Sequence, residues 1–327
     1  VLPTYNGRAY VEQAVESVLA QDFDDFELII RDDCSSDGTW ELLQKYAGSR
    51  CRLSRNETNL GLFPNLNRLV RDSRSEWVHL WAQDDRMLST CLSRTLEFAS
   101  AHSHVGMVYS RMQFIDADGV AEPVGNDDPT PAVIEPHLAA RIMFYFGSIA
   151  GNIANVAVRR DVFDELNGFD ERFKVSGDYE FWSRLSERYP IGFQRNVAIQ
   201  GRRHSNQLSR QTQSAIDFIR ENRAIHDRLF ERLHPFEHRN ALRFRRWVLQ
   251  VNAFHQAVRY ESSGEIKSSL ATLDLLRDAT PLFLPAARWA IWANGRIVTR
   301  PQLGPTVNAG VYSASGLFNA PPQARHF

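Results

Sequence analysis

The sequence predicts an α/β fold: a mostly parallel sheet flanked by helices, with a helical appendage towards the C-terminal end. Three observations carry that prediction. Short apolar runs alternate with helical stripes through the first half of the chain, and most runs give way to a polar segment rich in Asp, Asn, Ser or Gly. After Arg210 the alternation stops and long helical periodicity replaces it. Alternation of the first kind buries a parallel sheet between helices. Such sheets hold ligands beyond the carboxyl ends of their strands, so the polar segments are expected to converge on one cleft.

Val1-Leu2 opens as a buried strand, with strand residues expected before it and no leader or targeting segment visible. Val11, Ala14, Val15, Val18 and Leu19 form one helical stripe across Ala9 to Ala20. Phe26 to Ile30 is a continuous apolar run of strand length, and Thr39 to Tyr46 returns to helical spacing. Arg52 to Ser54 reads as a strand, Phe63 to Val70 as a helix and Trp77 to Trp81 as a strand. Thr90 to Ala101 is a helix and Val105 to Tyr109 a strand. From Asp116 to Pro136 Gly, Pro, Asn and Asp dominate, which predicts a long surface loop of the kind that tends to carry function. Leu138 to Phe146 is a helix, Gly147 to Asn152 a loop and Val156 to Val158 a strand. Asp161 to Leu166 is a helix ended by Asn167-Gly168, and Tyr179 to Tyr189 an amphipathic helix. Helices over Ile216 to Leu233, Ala241 to Tyr260 and Ile266 to Leu276 follow, then an irregular tail. The expected organisation is a catalytic-type domain over 1–210, a helical region over 211–300 and a tail over 301–327.

Composition narrows the function classes. The chain has 327 residues, 43% of them hydrophobic, and a net charge of -1. That balance excludes a disordered chain and argues against nucleic-acid binding, which needs clustered basic surface. Cys34, Cys51 and Cys91 form no zinc pattern and, odd in number, suit a reducing, cytoplasmic compartment. The most apolar stretch, Pro281 to Val298, carries Arg288 and Arg296 and reads as a core or interface helix rather than a membrane-surface one.

Five segments carry chemistry. Gln83-Asp84-Asp85 follows a strand, and two carboxylates beside a diphosphate suit Mg²⁺ or Mn²⁺, which completes its octahedron with phosphate oxygens and water. Arg31-Asp32-Asp33-Cys34-Ser35-Ser36-Asp37-Gly38-Thr39 offers a strand-end carboxylate able to accept from a base N–H. Thr4 and Tyr5, within Pro3-Thr4-Tyr5-Asn6-Gly7, offer a hydroxyl and an aromatic platform. Asp178 starts a helix after a Gly-containing loop, where a carboxylate can take a proton from an attacking hydroxyl. Arg202-Arg203-His204 could ligate a metal or steady a diphosphate. Each segment also has a plainer reading, helix capping for the acidic residues and turn chemistry for Asn6-Gly7.

In this order the segments resemble the family 2 inverting glycosyltransferases of the GT-A fold. The likeness runs from Leu2 to about Ser209 and includes Ser17-Val18-Leu19-Ala20-Gln21, Asn59-Leu60-Gly61, Gly168-Phe169-Asp170-Glu171 and Asp178-Tyr179-Glu180-Phe181-Trp182. The resemblance implies transfer of a sugar from a nucleotide-diphosphate donor, with UDP or dTDP expected, onto the hydroxyl of a glycan or lipid-linked acceptor. It places Pro3, Thr4, Tyr5, Asp33 and Asp84 at the nucleotide, Asp85 and His204 at a divalent metal, and the catalytic base at Asp178. It further implies a role in cell-surface polysaccharide synthesis and peripheral contact with the inner face of a membrane. Two positions depart from the family pattern. Ala82 stands where many members carry a carboxylate two residues before the Asp-Asp pair, and Gly177 where many carry one directly before the residue matched to the base. The rival reading is a non-catalytic carbohydrate- or nucleotide-sugar-binding protein that keeps the fold. It predicts loss of the key carboxylates, and Asp84, Asp85 and Asp178 are all present. A dinucleotide oxidoreductase would need G-x-G-x-x-G after the first strand, where this chain has Pro3-Thr4-Tyr5-Asn6-Gly7.

Overall fold

The computed structural model describes residues 1–124, 128–204, 212–245 and 257. Two compact units result, the first holding Val1–His204 and the second beginning at Ser205.

In the first unit, β1 (Leu2–Thr4), β2 (Leu28–Asp32) and β3 (Cys51–Arg55) are parallel, with Leu2 opposite Ile30, Thr4 opposite Asp32 and Leu28 opposite Cys51. Leu28, Ile29 and Ile30 are all buried, as a strand covered on both faces requires. Helix α1 (Val11–Leu19) buries Val11, Ala14, Val15 and Val18, the stripe read from the sequence. After α2 (Thr39–Leu43) comes α3 (Leu62–Asp72), which turns Phe63, Leu66, Leu69 and Val70 inward. Strand β4 (Trp77–His79) joins this sheet to the rest: Val1 N–H donates to the His79 carbonyl (2.8 Å) and Trp81 N–H to the Val1 carbonyl (2.9 Å).

The remaining elements are β5 (Arg86–Met87), α4 (Cys91–Ala101), β6 (Met107–Ile115), β7 (Val133–Ile134), α5 (Pro136–Phe146), β8 (Val156–Arg159), α6 (Arg160–Glu165), α7 (Gly177–Leu185) and β9 (Ile191–Arg202). Their strand order is β4-β8-β6-β9-β5, with β7 also on β9. Here the sheet is mixed. β6 and β9 run parallel, but β8 is antiparallel to both its neighbours, as are β5 and β7 to β9. The parallel expectation therefore holds for the first half and gives way to a mixed arrangement in the second.

The twelve-residue strand β9 is the main element that periodicity does not find. Gly192, Gln194, Arg195, Asn196 and Gln200 interrupt its apolar pattern, and its register against β6 shifts around Ser110 to Met112. A bulge of this kind breaks the alternation on which sequence reading depends. The expected loop after Asp116 is partly ordered: Glu122 N–H donates to the Phe114 carbonyl (2.8 Å), and β7 lies within the expected span. Helix α7 begins earlier and ends earlier than its apolar pattern suggests.

The second unit contains α8 (Thr212–Glu231) and a further helical stretch at 238–245. The helix over Ile266 to Leu276, the stretch Pro281 to Val298, most of Ala241 to Tyr260 and the tail lie outside the described residues. No described helix is long and apolar enough to cross a membrane.

Candidate active site

The polar segments after β1, β2 and β4 interlock. Asn6 N–H donates to Ser35 Oγ (2.9 Å), Ser36 N–H to Asn6 Oδ1 (2.9 Å) and Gly7 N–H to Thr39 Oγ1 (2.9 Å), which joins the first segment to the second. The Gln83 side chain joins it to the third, accepting from Tyr5 N–H (2.9 Å) and donating to the Tyr5 carbonyl (3.0 Å). Convergence at the carboxyl ends of the strands, expected from the fold class, is thus built by side-chain amides and hydroxyls.

Within this cluster Pro3 is buried in β1 opposite Arg31. Thr4 and Asp32 are committed to each other: Thr4 Oγ1 donates to Asp32 Oδ1 (3.3 Å), and the buried Asp32 also accepts from Ser35 N–H and Oγ and pairs with Arg55 (3.2 Å). Asp33 accepts from Asn56 Nδ2 (2.8 Å) and Leu60 N–H (2.9 Å) on Oδ1, and from Gly61 N–H (2.9 Å) on Oδ2. A carboxylate has about four lone-pair positions; these three bonds leave room for one more donor, such as a base N–H. Tyr5 is exposed, its ring open to a ligand. Asp37 accepts from Thr39 N–H (3.0 Å), so the helix-start role is filled there.

Asp84 and Asp85 have different partners and different burial. Asp84 Oδ2 lies 2.9 Å from His204 Nε2, both side chains partly exposed. Asp85 is buried, accepting from Arg202 N–H (2.8 Å) and more weakly from Asn152 Nδ2 (3.4 Å). Burial, and next the charge of Asp84, pushes the Asp85 carboxyl from 3.8 up to about 7. The consequence for stability has a definite sign. Below about pH 4 both the folded and unfolded chains carry the proton and Asp85 contributes nothing. Between about pH 4 and 7 only the folded chain keeps it, so stability falls as pH rises, and above about 7 the loss is complete. For a shift of this size the loss is about 4 kcal/mol at most. Asp85→Asn keeps an acceptor for the Arg202 N–H without the buried charge. Chemical denaturation in EDTA is expected to find it more stable than the parent at pH 8 and equal to it near pH 4; an equal difference at both pH values would contradict the assignment.

Asp178 stands in the first turn of α7, half-buried, where the helix dipole favours its charge. What seats that turn is Phe63. A Cβ placed on Gly177 would lie 2.7 Å from Phe63 Cε2, 2.8 Å from Cδ2 and 2.9 Å from Cγ, so the ring fills the space a side chain would need. Phe63 also contacts Phe169 (5.3 Å between ring centroids), which packs against Phe163, Phe181 and Trp182. Asn67 on α3 accepts from Phe169 N–H (2.8 Å) and donates to its carbonyl (2.9 Å), and Arg184 forks onto Glu180 (2.7 and 2.9 Å) while donating to the Gly168 carbonyl (2.7 Å). Gly168, at φ 69°, takes the left-handed turn that ends α6, and any Cβ there would strike Asn67 Oδ1 at 2.6 Å. One short path therefore links Asp33 to Asp178: Asp33 holds Gly61, α3 begins, Phe63 seats Gly177, and Asp178 follows.

Sequence reasoning names every carboxylate of the site but not the residues that place them. Phe63, Asn67 and Asn152 give no signal beyond their residue type, and Gln83 stands in its motif without a role of its own. Arg202, expected as a diphosphate contact, is instead buried and turned into the protein. Arg203 binds Glu122 (2.9 and 3.0 Å) and lies over the Phe114 ring (3.7 Å).

The fold is that of the GT-A class. A family model described as glycosyl transferase family 2 matches residues 1–166, half of the chain. The chain belongs to glycosyl transferase family 2 and is a glycosyltransferase. It is similar to EpsE of Bacillus subtilis, named as a glycosyltransferase, with 26% identity over 205 residues that cover 61% of this chain and 70% of EpsE. TuaG of the same species, named for teichuronic acid biosynthesis, is 35% identical over 105 residues, 32% of this chain and 42% of TuaG. Among solved structures, S. aureus TarS 1-349 in complex with UDP-GlcNAc shares the fold at a TM-score of 0.63 and 19% identity, covering 90% of this chain and 87% of that one.

Proposed function

We propose that this glycosyltransferase transfers a sugar from a nucleotide-diphosphate donor to an acceptor hydroxyl in one displacement that inverts the anomeric carbon. The observation that carries this reading is the Asp84–His204 pair beside the interlocked loops after β1 and β2. Asp33, with one acceptor position left, binds a base N–H, and Tyr5 offers its ring to the base. Asp178 takes the acceptor proton. The acceptor oxygen bonds to the anomeric carbon as the carbon–phosphate oxygen bond breaks, and the electron pair leaves with the diphosphate.

The donor set supports a divalent cation held by Asp84 and His204, with Asp85 placing its neighbour rather than ligating. Among the described residues no cluster of three or more His, Cys, Asp or Glu side chains could hold a metal. Mg²⁺ or Mn²⁺ needs only one or two protein carboxylates, because phosphate oxygens and water supply the rest. Such an ion would neutralise charge on the departing diphosphate. A role in polymer biosynthesis is supported by the likeness to TuaG, named for teichuronic acid biosynthesis, and the UDP-GlcNAc held by TarS supports a uridine donor.

The test is calorimetric titration of UDP into the protein with Mn²⁺ and then with EDTA. Metal-dependent binding that Asp84→Ala and His204→Ala each weaken by about tenfold or more is expected. Absence of binding by UDP, dTDP and GDP in either condition would overturn the donor site.

A further inference from the structure

We infer that Arg202 is a positioning residue, the clamp that sets the Asp84–His204 pair; the inference rests on the proposed role of that pair. Arg202 ends β9 two residues before His204 and is only 3% exposed, so its charge does not reach a ligand directly. Its backbone N–H donates to Asp85 Oδ1 (2.8 Å), and its Nε donates to the Asp84 carbonyl (3.0 Å). Both halves of the acidic pair are therefore held by one residue, one through its carboxylate and one through its backbone. The other arms of the guanidinium reach away from the pair. Nη1 donates to the carbonyls of Asp116 (3.2 Å) and Ala117 (2.8 Å), and Nη2 to Gln13 Oε1 (2.8 Å). Its face lies over the Tyr10 ring at 4.6 Å, and that ring stands 5.0 Å from the His204 imidazole.

This geometry ties four segments to one cation: the turn carrying Asp84 and Asp85, the start of α1, the turn after β6, and the end of β9. Only a planar fork reaches carbonyls in three directions while presenting a flat face to an aromatic ring. Groups that orient metal-binding side chains without touching the metal typically change affinity about 10–100-fold when removed. Arg202 meets that description, since it fixes Asp84 through the backbone and His204 through both chain connection and the Tyr10 platform.

The experiment measures UDP affinity across a Mn²⁺ series by calorimetry, with thermal unfolding in parallel. Arg202→Met is expected to weaken Mn²⁺-dependent UDP binding about 10–100-fold. Arg202→Lys, which keeps the charge but not the fork, should fall between the two. Arg203→Met, which removes the neighbouring guanidinium from Glu122 and Phe114, should leave the Mn²⁺ dependence unchanged. Should Arg202→Met not fold, Gln13→Ala removes one hydrogen bond from the exposed end of the clamp and is expected to weaken binding about threefold. Parental Mn²⁺ dependence in Arg202→Met, or in Gln13→Ala where that stands in, overturns the inference, as does an equal loss in Arg203→Met. If Asp84→Ala and His204→Ala themselves bind UDP and Mn²⁺ like the parent, the donor-site reading has failed instead, and Arg202 with it.

Discussion

Asp178→Asn is expected to lower kcat by about 10²–10⁴-fold while leaving Mn²⁺-dependent UDP affinity within about threefold. The substitution is isosteric and keeps an oxygen at the same place, but an amide cannot take the acceptor proton. Asp178 sits in the first turn of α7 with Asp and Glu both present there, and losing one charge at a helix start costs only about 0.3–1 kcal/mol. The fold should therefore survive, and the effect should appear in turnover alone. UDP release from a nucleotide sugar in the presence of acceptor measures it, with calorimetry on the same preparation for affinity. A variant that turns over at the parental rate would remove Asp178 from the chemistry. One that loses UDP affinity as well would move it from the base to the donor site.

That separation depends on the two corners of the site being built by different elements. The proposed donor corner comes from β1, β2 and the turn after β4, and its legibility in the sequence has a simple cause. Strand ends in a parallel sheet point the same way, so polar residues that follow apolar runs must meet. Thr4, Asp33 and Asp84 could be placed near one another by that rule alone. Their separate duties could not. Asp84 and Asp85 are adjacent and chemically identical, and it is the three-dimensional surroundings that tell them apart: the Arg202 N–H and burial for Asp85, the His204 ring for Asp84. The extent of β9 is hidden for another reason: its bulged pairing with β6 breaks the two-residue period, so the motif of Arg202 and His204 reads as lying beyond a strand whose bounds the sequence does not give. Long-range partners such as Asn67 with Phe169, or Gln83 with Tyr5, carry no local pattern to read.

Gly177 is the position where sequence and structure together say most. Many family members carry a carboxylate there, and its absence first reads as a weakened active site. The structure supplies a different account, because the ring of Phe63 occupies the space and seats the first turn of α7 directly. Gly177→Ala places a methyl group 2.7 Å from that buried ring, and overpacking of this kind costs about 1–3 kcal/mol. The relief available is a small displacement of the helix start, which moves Asp178. A misplacement of about 1 Å at a catalytic group can cost about 10²-fold in rate, so kcat is expected to fall by about that factor with UDP affinity little changed. Phe63→Leu removes the ring atoms that the methyl group strikes. Alone it should be destabilising, as a cavity beside Phe169 would be. Combined with Gly177→Ala it should recover part of the lost kcat, giving a coupling energy of about 0.5–3 kcal/mol of the sign that marks relieved overlap. Strictly additive losses in the double variant would mean that Phe63 does not seat the base, and that the missing carboxylate at 177 needs another explanation.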